Sequence, residues 1–253
     1  MERQYFFTVA YRGTNYHGWQ RQPNAVTVQQ KIEEAFSLLL QKEIEISGSG
    51  RTDTGVHASR QVFQLSIEST FSIERIIFRV NKLLPFDIAI SAFKAVKQEA
   101  HPRFDAISRS YEYKIGAKKD PFGQDLVYHF HSALDFQKMN VAAAAMKMYT
   151  NFQSFSKVKT GVNTFNCKIF EAQWLPASEQ VNEEWVFHIN ANRFLRGMVR
   201  AIVGTLLDVG IGKISLSDFD DIIKARNRAA AGRAVPAHGL YLTDVKYPES
   251  TYL

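Results

Sequence analysis

Between Gln4 and Leu40 the apolar pattern changes its period, and the same change recurs further along the chain. In the run QYFFTVAY (4–11), Tyr5, Phe7, Val9 and Tyr11 alternate, which is the side-chain period of a strand. From Val28 onward, Val28, Ile32, Ala35, Phe36, Leu39 and Leu40 recur at helical spacing and form one apolar face. Thr27-Val28-Gln29-Gln30 fits a capping box, with Thr27 as N-cap and Gln30 at the third helical position. Strand-like runs follow at Glu43–Ser47 and Gln61–Ile67. Ser72 then caps a second helix with Ile73, Ile76, Ile77, Val80, Leu83 and Leu84 on its apolar face, and Pro85 stops it. Asp87–Val96 reads as another strand. The order strand, helix, strand, strand, helix, strand is that of a split βαβ, ferredoxin-like unit.

The second half runs in the same broad order. Residues 108–116 alternate with Tyr111, Tyr113 and Ile115 on one face, and a short strand is expected near Val127–His131. Asp135 caps a helix reaching Tyr149. Phe165–Leu175 and Glu184–Ile189 read as a strand pair, and Asn192–Val209 as a strong helix. Ser217 is expected to cap a short helix over Asp218–Lys224, and Gly239–Tyr247 reads as a final strand. The polar run 98–106, with its proline, marks the seam between two domains, 1–103 and 104–253. The expected fold class is α+β: two ferredoxin/RRM-like halves, each an antiparallel sheet with helices packed on one side.

Length and composition fit this plan. The chain has 253 residues, 45% of them hydrophobic, enough for one large domain or two modest ones. The net charge of +6 suits a polyanion-binding surface, although many proteins are mildly basic. One cysteine, Cys167, rules out an internal disulfide and any cysteine-rich metal site. The start Met1-Glu2-Arg3-Gln4 has no apolar signal segment, and no apolar run approaches a membrane span. The expected setting is a reducing one, the cytoplasm.

The chemistry concentrates in Gly48-Ser49-Gly50-Arg51-Thr52-Asp53-Thr54-Gly55-Val56-His57-Ala58, between two strand-like runs. A loop made only to join two strands needs two to five residues. This one is longer, and it sets an arginine, an aspartate and a histidine among glycines that permit close approach of a ligand. A lone aspartate in such a loop is most often a turn former. Beside a cation it is also a carboxylate that stays ionised and serves as nucleophile or base. Arg193, Arg196 and Arg200, spaced by three and four, are expected on one helical stripe. Arg200 lies among apolar residues and needs an anion partner if buried, with Asp53 the first candidate. Tyr111 and Tyr113 read either as core or as rings in a cleft that stack a flat substrate. Tyr16 and Trp19, in the polar loop after the first strand, divide evenly between the same two readings. Lys224, Arg226, Arg228 and Arg233, with Arg12 and Arg21, form a set able to track a phosphate backbone.

No phosphate-binding Gly-x-x-x-x-Gly-Lys-[Ser/Thr] loop and no dinucleotide-binding Gly-x-Gly-x-x-Gly motif occurs, and the seven histidines show no metal-ligand spacing. No cofactor and no metal are therefore expected.

Gly50-Arg51-Thr52-Asp53-Thr54-Gly55-Val56-His57-Ala58 resembles the signature loop of the bacterial tRNA pseudouridine synthase A family. Tyr11–Gln22 (YRGTNYHGWQRQ), Asn81–Ile88 (NKLLPFDI), His101–Ala106 (HPRFDA), Arg109–Tyr113 (RSYEY), Phe194–Gly204 (FLRGMVRAIVG) and Pro236–Leu242 (PAHGLYL) resemble further family motifs, in the family's order and across essentially the whole chain. The resemblance implies two halves joined around a central cleft, tRNA as substrate, a homodimer and no cofactor. It implies isomerisation of uridine to pseudouridine in the anticodon stem–loop, with the target base turned out of its stack. It casts Asp53 as the nucleophile, Arg200 as its ion partner and Tyr111 as the residue stacking on the base. Arg51 and Arg21 are cast as tRNA contacts, and Leu240 or Leu242 as an apolar residue near the site. Attack at C1′, addition at C6 and assistance to loss of a ribose proton all stay open for Asp53. Two departures stand out: Thr54 replaces the usual alanine, and Asn151-Phe152 stands where Asp-Phe is usual.

One reading from another class accounts for the same basic and aromatic residues: a non-catalytic RNA-binding or chaperone protein with two RRM-like halves. The aromatic strand motif of RRM readers is missing, which weighs against it.

Overall fold

In the computed structural model the described residues are 2–68, 72–158, 161, 163–177 and 184–253. They contain five α-helices and nine strands in a mixed α+β order. The chain divides into two units, one made of Met1–Ile107 with Tyr241–Leu253 and the other of Ser108–Leu240. The polar run at 98–106 lies just ahead of the first crossing, and the last strand packs with the first unit.

In the first unit, β1 (Glu2–Tyr11) lies between β3 (His57–Glu68) and β4 (Ile88–Ala95), antiparallel to both. The two-residue β2 (Ser47–Gly48) pairs with β3. The chain's last strand, β9 (Leu240–Lys246), runs parallel to the start of β3, with His57 opposite Tyr241 and Ala58 opposite Leu242. Helices α1 (Val28–Leu40) and α2 (Ile73–Leu83) pack against each other, and α2 against β4. The core is aromatic. Phe7 stacks on Phe63 at 5.2 Å, and Phe36 of α1 meets both rings edge-on. Thr27 caps α1 as expected, accepting from the Gln30 amide, but the box is half made, because the Gln30 side chain donates to Glu34.

The strand expected over Glu43–Ser47 is reduced to Ser47–Gly48. Ile44 and Ile46 are buried as the alternation requires. Their amides, however, donate to α1 side chains, Ile44 to Ser37 Oγ and Ile46 to Glu33 Oε1. Backbone donors satisfied by a helix leave no ladder to extend.

In the second unit, β8 (Glu184–Ala191) lies between β5 (Ser108–Gly116) and β7 (Ile169–Pro176), antiparallel to both, and the short β6 (Tyr128–His129) runs parallel to β5. Helix α3 (Phe136–Ala145) packs on β7 and on α4 (Met198–Gly210). Phe136 stacks on Trp185 at 3.6 Å, and Asn140 brackets the Trp174 backbone, accepting from its N–H and donating to its carbonyl.

Two helix starts differ from expectation. α4 begins at Met198, not Asn192: Gly197 has φ 70°, outside the right-handed helix, and Asn192 exchanges backbone-directed bonds with Lys168. Arg193 and Arg196 therefore precede the helix and share no helical stripe with Arg200. α5 (Leu216–Lys224) is capped by Ser215 rather than Ser217, in a full capping box with Asp218.

Candidate active site

The glycine-bearing loop is tighter than its sequence suggests, because its last residues already belong to β3. What remains is a turn: the Val56 amide donates to the Asp53 carbonyl at 3.1 Å, with Gly55 at φ 78°. A left-handed residue at the third position is what a type II turn requires. Asp53 is thus the first residue of this turn, which its backbone makes, and its half-buried carboxylate is carried on a defined backbone. Thr54 is exposed at the turn's second position.

The turn lies against residues 11–19. The Tyr11 hydroxyl meets Thr52 Oγ1 at 2.8 Å, and the Trp19 amide donates to the Thr52 carbonyl at 3.4 Å. The Gly55 amide donates to the Tyr16 carbonyl at 3.3 Å, and the Gly13 amide to His57 Nδ1 at 3.0 Å. Segment 11–19 is anchored in turn at the foot of β4. Asp87 is buried and accepts from Tyr16 Oη at 2.6 Å and from Asn15 Nδ2 at 3.2 Å, and its carbonyl accepts from the Arg12 amide. Burial, and after it the hydrogen bond and charge of Asp87, push the Tyr16 phenol far above its ordinary titration range. Tyr16 and Trp19 are therefore core residues, 4% and 1% exposed, and neither is presented for stacking.

Arg51 is exposed and its Nε donates to Gln20 Oε1 at 2.9 Å, which draws it to the segment carrying Arg21. Arg21 binds Glu33 Oε2 at 2.7 Å, leaving its own side chain 56% exposed while that of Glu33 is 3% exposed.

Tyr111, Arg200 and Leu240 belong to the second unit. Tyr111, on β5 opposite Ile189, is half-buried, with Phe194 edge-on to its ring at 5.1 Å. Its strand neighbour Tyr113 is fully buried and donates to the Pro236 carbonyl at 2.8 Å, which holds the segment leading to Leu240. Arg200, half-buried on α4, donates through Nε to the Val235 carbonyl at 2.6 Å. Leu240 is buried and opens β9. Of the basic set at 224–233, Arg228 is bound to the carbonyls of Ala231 and Gly232 and shapes its own loop. Asn151, in place of the usual aspartate, accepts from the Gln153 amide at 3.0 Å and so still shapes its turn.

Cys167 is buried, and burial pushes its thiol up to about 11, so it is no thiolate at neutral pH. His57, Thr52, Tyr11 and Asp87 are the site residues that sequence reasoning passed over as site-builders. Each lies in or beside a quoted motif, but pairings 41 to 72 residues apart leave no local signal.

The family model described as tRNA pseudouridine synthase matches residues 8–105 and 145–248. The chain belongs to the tRNA pseudouridine synthase family. It is 49% identical over 252 residues to tRNA pseudouridine synthase A of Porphyromonas gingivalis, covering 99% of each chain. It is 46% identical over 251 residues to that of Bacteroides fragilis, covering 99% of this chain and 98% of the relative. To the Bacillus subtilis protein of the same name it is 38% identical over 244 residues, covering 95% and 97%. The matched residues of the family model include the Asp53 turn, the 11–19 segment beneath it and α4 with Arg200. No helix among the described residues is long and apolar enough to cross a membrane.

Proposed function

We infer that this chain's activity, the isomerisation of tRNA uridine to pseudouridine that its family membership carries, runs on the Asp53 carboxylate and falls on the anticodon stem–loop. In that reaction the N1–C1′ bond breaks, the freed uracil turns, and C5 bonds to C1′. The C5 proton is released and N1 ends protonated, so neither oxidant nor hydrolytic water is consumed. The observation that carries the reading is the Asp53 turn. A carboxylate is held on a backbone braced from both sides, inside the stretch that the family model matches. Braced backbone of this kind suits a group that must meet a reacting atom in one geometry.

Other roles follow in the same reading. Arg200 is the ion partner of Asp53. Tyr111 stacks on the extruded base. Arg51 and Arg21 hold the tRNA backbone, for which their exposed guanidinium groups are suited. Leu240 supplies an apolar wall. The two parts of the chain, 1–103 with the catalytic loop and 104–253 with Tyr111 and the arginine helix, are two ferredoxin-like halves. The protein works as a cytoplasmic homodimer, one subunit gripping tRNA while the other reacts.

Tritium release from [5-³H]uridine-labelled tRNA tests the central assignment. Asp53→Asn should lose roughly a thousand-fold or more in turnover while remaining folded. Robust release by that variant would remove Asp53 from the chemistry. Mapping pseudouridines in tRNA from cells lacking the protein should show loss in the anticodon stem–loop.

A further inference from the structure

The residues on either side of Asp53 are held by contacts of two kinds. Some are backbone to backbone: Trp19 N–H to the Thr52 carbonyl, and Gly55 N–H to the Tyr16 carbonyl. Others come from side chains. Before Asp53, the Tyr11 hydroxyl holds the Thr52 hydroxyl at 2.8 Å. After it, His57 Nδ1 accepts the Gly13 amide at 3.0 Å. Both side chains are nearly sealed from solvent, Tyr11 at 4% and His57 at 1% exposure. The chain also closes tightly here: a Cβ on Gly13 would sit 2.0 Å from the Val56 carbonyl oxygen.

Chemistry fixes the form of the His57 bond. Nδ1 accepts, so it carries no proton, and a neutral ring holds its proton on Nε2. The ring lies against Tyr241, 4.7 Å between centroids and 25° between planes, which fixes its orientation within the β3–β9 pair. β3 also carries a bulge between its Val9 and Tyr11 partners, immediately after Ala58. Bulges re-aim the strand they interrupt and are over-represented next to active sites.

We propose that Tyr11 and His57 are positioning residues for the reaction: two buried side-chain clamps, one on each side of Asp53, that set the direction of its carboxylate by pinning the turn to segment 11–19. Neither touches the substrate, and both act through the backbone that carries Asp53. The proposal rests on the reading that Asp53 is the reactive group, and its test separates the two.

The test measures kcat and KM for tRNA by tritium release, with Tm, in Tyr11→Phe, His57→Gln, His57→Asn and Asp53→Asn. Tyr11→Phe removes a single oxygen. His57→Asn keeps an acceptor at the position of Nδ1, whereas His57→Gln carries its oxygen one bond too far. We expect Tyr11→Phe and His57→Gln to lower kcat about ten- to a hundred-fold, the scale of a small misplacement of a reacting group. KM should stay within about two-fold, because binding groups are untouched. His57→Asn should recover most of the loss. Wild-type kcat in Tyr11→Phe and His57→Gln, with Asp53→Asn inactive, overturns the clamps and leaves the Asp53 reading standing. Equal losses in His57→Asn and His57→Gln at matched Tm overturn the hydrogen-bond role of His57. If His57→Gln is insoluble, Tyr11→Phe decides alone, and wild-type kcat overturns the proposal. Activity in Asp53→Asn removes the reading on which the clamps rest.

Discussion

Arg21 and Glu33 meet at 2.7 Å, yet the glutamate is sealed and the arginine is half in solvent, with side chains 3% and 56% exposed. Glu33 is bound from three directions. Besides Arg21 it accepts from Gln29 Nε2 at 2.8 Å and from the Ile46 amide at 3.1 Å. It is therefore the hub joining α1 to the segment that enters β2. Arg21 supplies the counter-charge while its own side chain stays largely in solvent.

The two residues should separate in experiment. Glu33→Leu strands the buried Ile46 amide and takes one of its bonds from the Gln29 carboxamide, which keeps the Ile46 carbonyl, and should destabilise the protein by roughly 1–3 kcal/mol. Arg21→Met should lower Tm, because the sealed Glu33 carboxylate loses its counter-charge and keeps only its bonds from Gln29 and the Ile46 amide. It should raise KM for tRNA and shallow the salt dependence of binding. Denaturant unfolding and salt-titrated binding check the pair. An Arg21→Met protein with unaltered salt dependence would take Arg21 off the RNA.

His238 makes part of the stability depend on pH. Burial first, then the nearby charges of His129 and Arg200, hold its pKa below the ordinary 6.5, with Asp125 opposing. Its ring stands edge-on to Tyr128 at 6.1 Å. The folded state thus prefers the neutral ring. Above 6.5 neither state is protonated and the contribution is whole. As pH falls below 6.5 the unfolded chain takes up its proton first, and stability drops until the folded pKa is passed. Urea midpoints at about pH 8 and about pH 5.5 should therefore differ less in His238→Phe than in the native protein. An identical drop in both would show that His238 is not the group responsible.

The cap of α5 is decided by two serines two residues apart. Ser215 Oγ accepts from the Asp218 amide at 3.1 Å, and Asp218 Oδ2 accepts from the Ser215 amide at 2.8 Å. Ser217 touches this box only through a hydroxyl contact to Ser215. Ser215→Ala should cost about 1 kcal/mol, and Ser217→Ala clearly less. Thermal melts of the two variants give the answer, and the reverse order would return the cap to Ser217.

That shift of a cap shows where reading a sequence stops. The periods of β1, α1, α2 and β5 were legible because each element buries one continuous face, and burial writes its period into the residues. Glu43–Ser47 carries a strand's alternation, with Ile44 and Ile46 buried, but Ser37 and Glu33 of α1 take its amides. Nothing local announces that competition. Phe194 and Leu195 extend the apolar pattern of α4 backward, although Leu195 is buried from the preceding loop and Gly197 breaks the helix. At the site, Asp53 and its glycine turn were visible as a motif. The fate of Tyr16 and Trp19 was not, because it depends on Asp87 and on the turn itself, far along the chain.

Glycines near Asp53 look alike in sequence and differ in what the backbone asks of them. Gly18 has φ 85°, and a Cβ there would stand 2.3 Å from the Thr52 carbonyl oxygen, so both the conformation and the contact exclude a side chain. The obstructing atom is backbone, one residue from Asp53, and relieving the clash must move the turn. Gly50 lies in the same loop, yet a Cβ there meets nothing within 4 Å and its φ is not in the left-handed region. Gly18→Ala should therefore destabilise the protein by about 2 kcal/mol or more and lower kcat together with it. Gly50→Ala should keep a native Tm, because the added methyl meets open space and the backbone needs no left-handed conformation. Melting curves alongside tritium-release kinetics read both effects. A Gly18→Ala protein with native kcat would mean that the Asp53 turn tolerates displacement, and the tight seating of segment 11–19 against it would then serve stability alone.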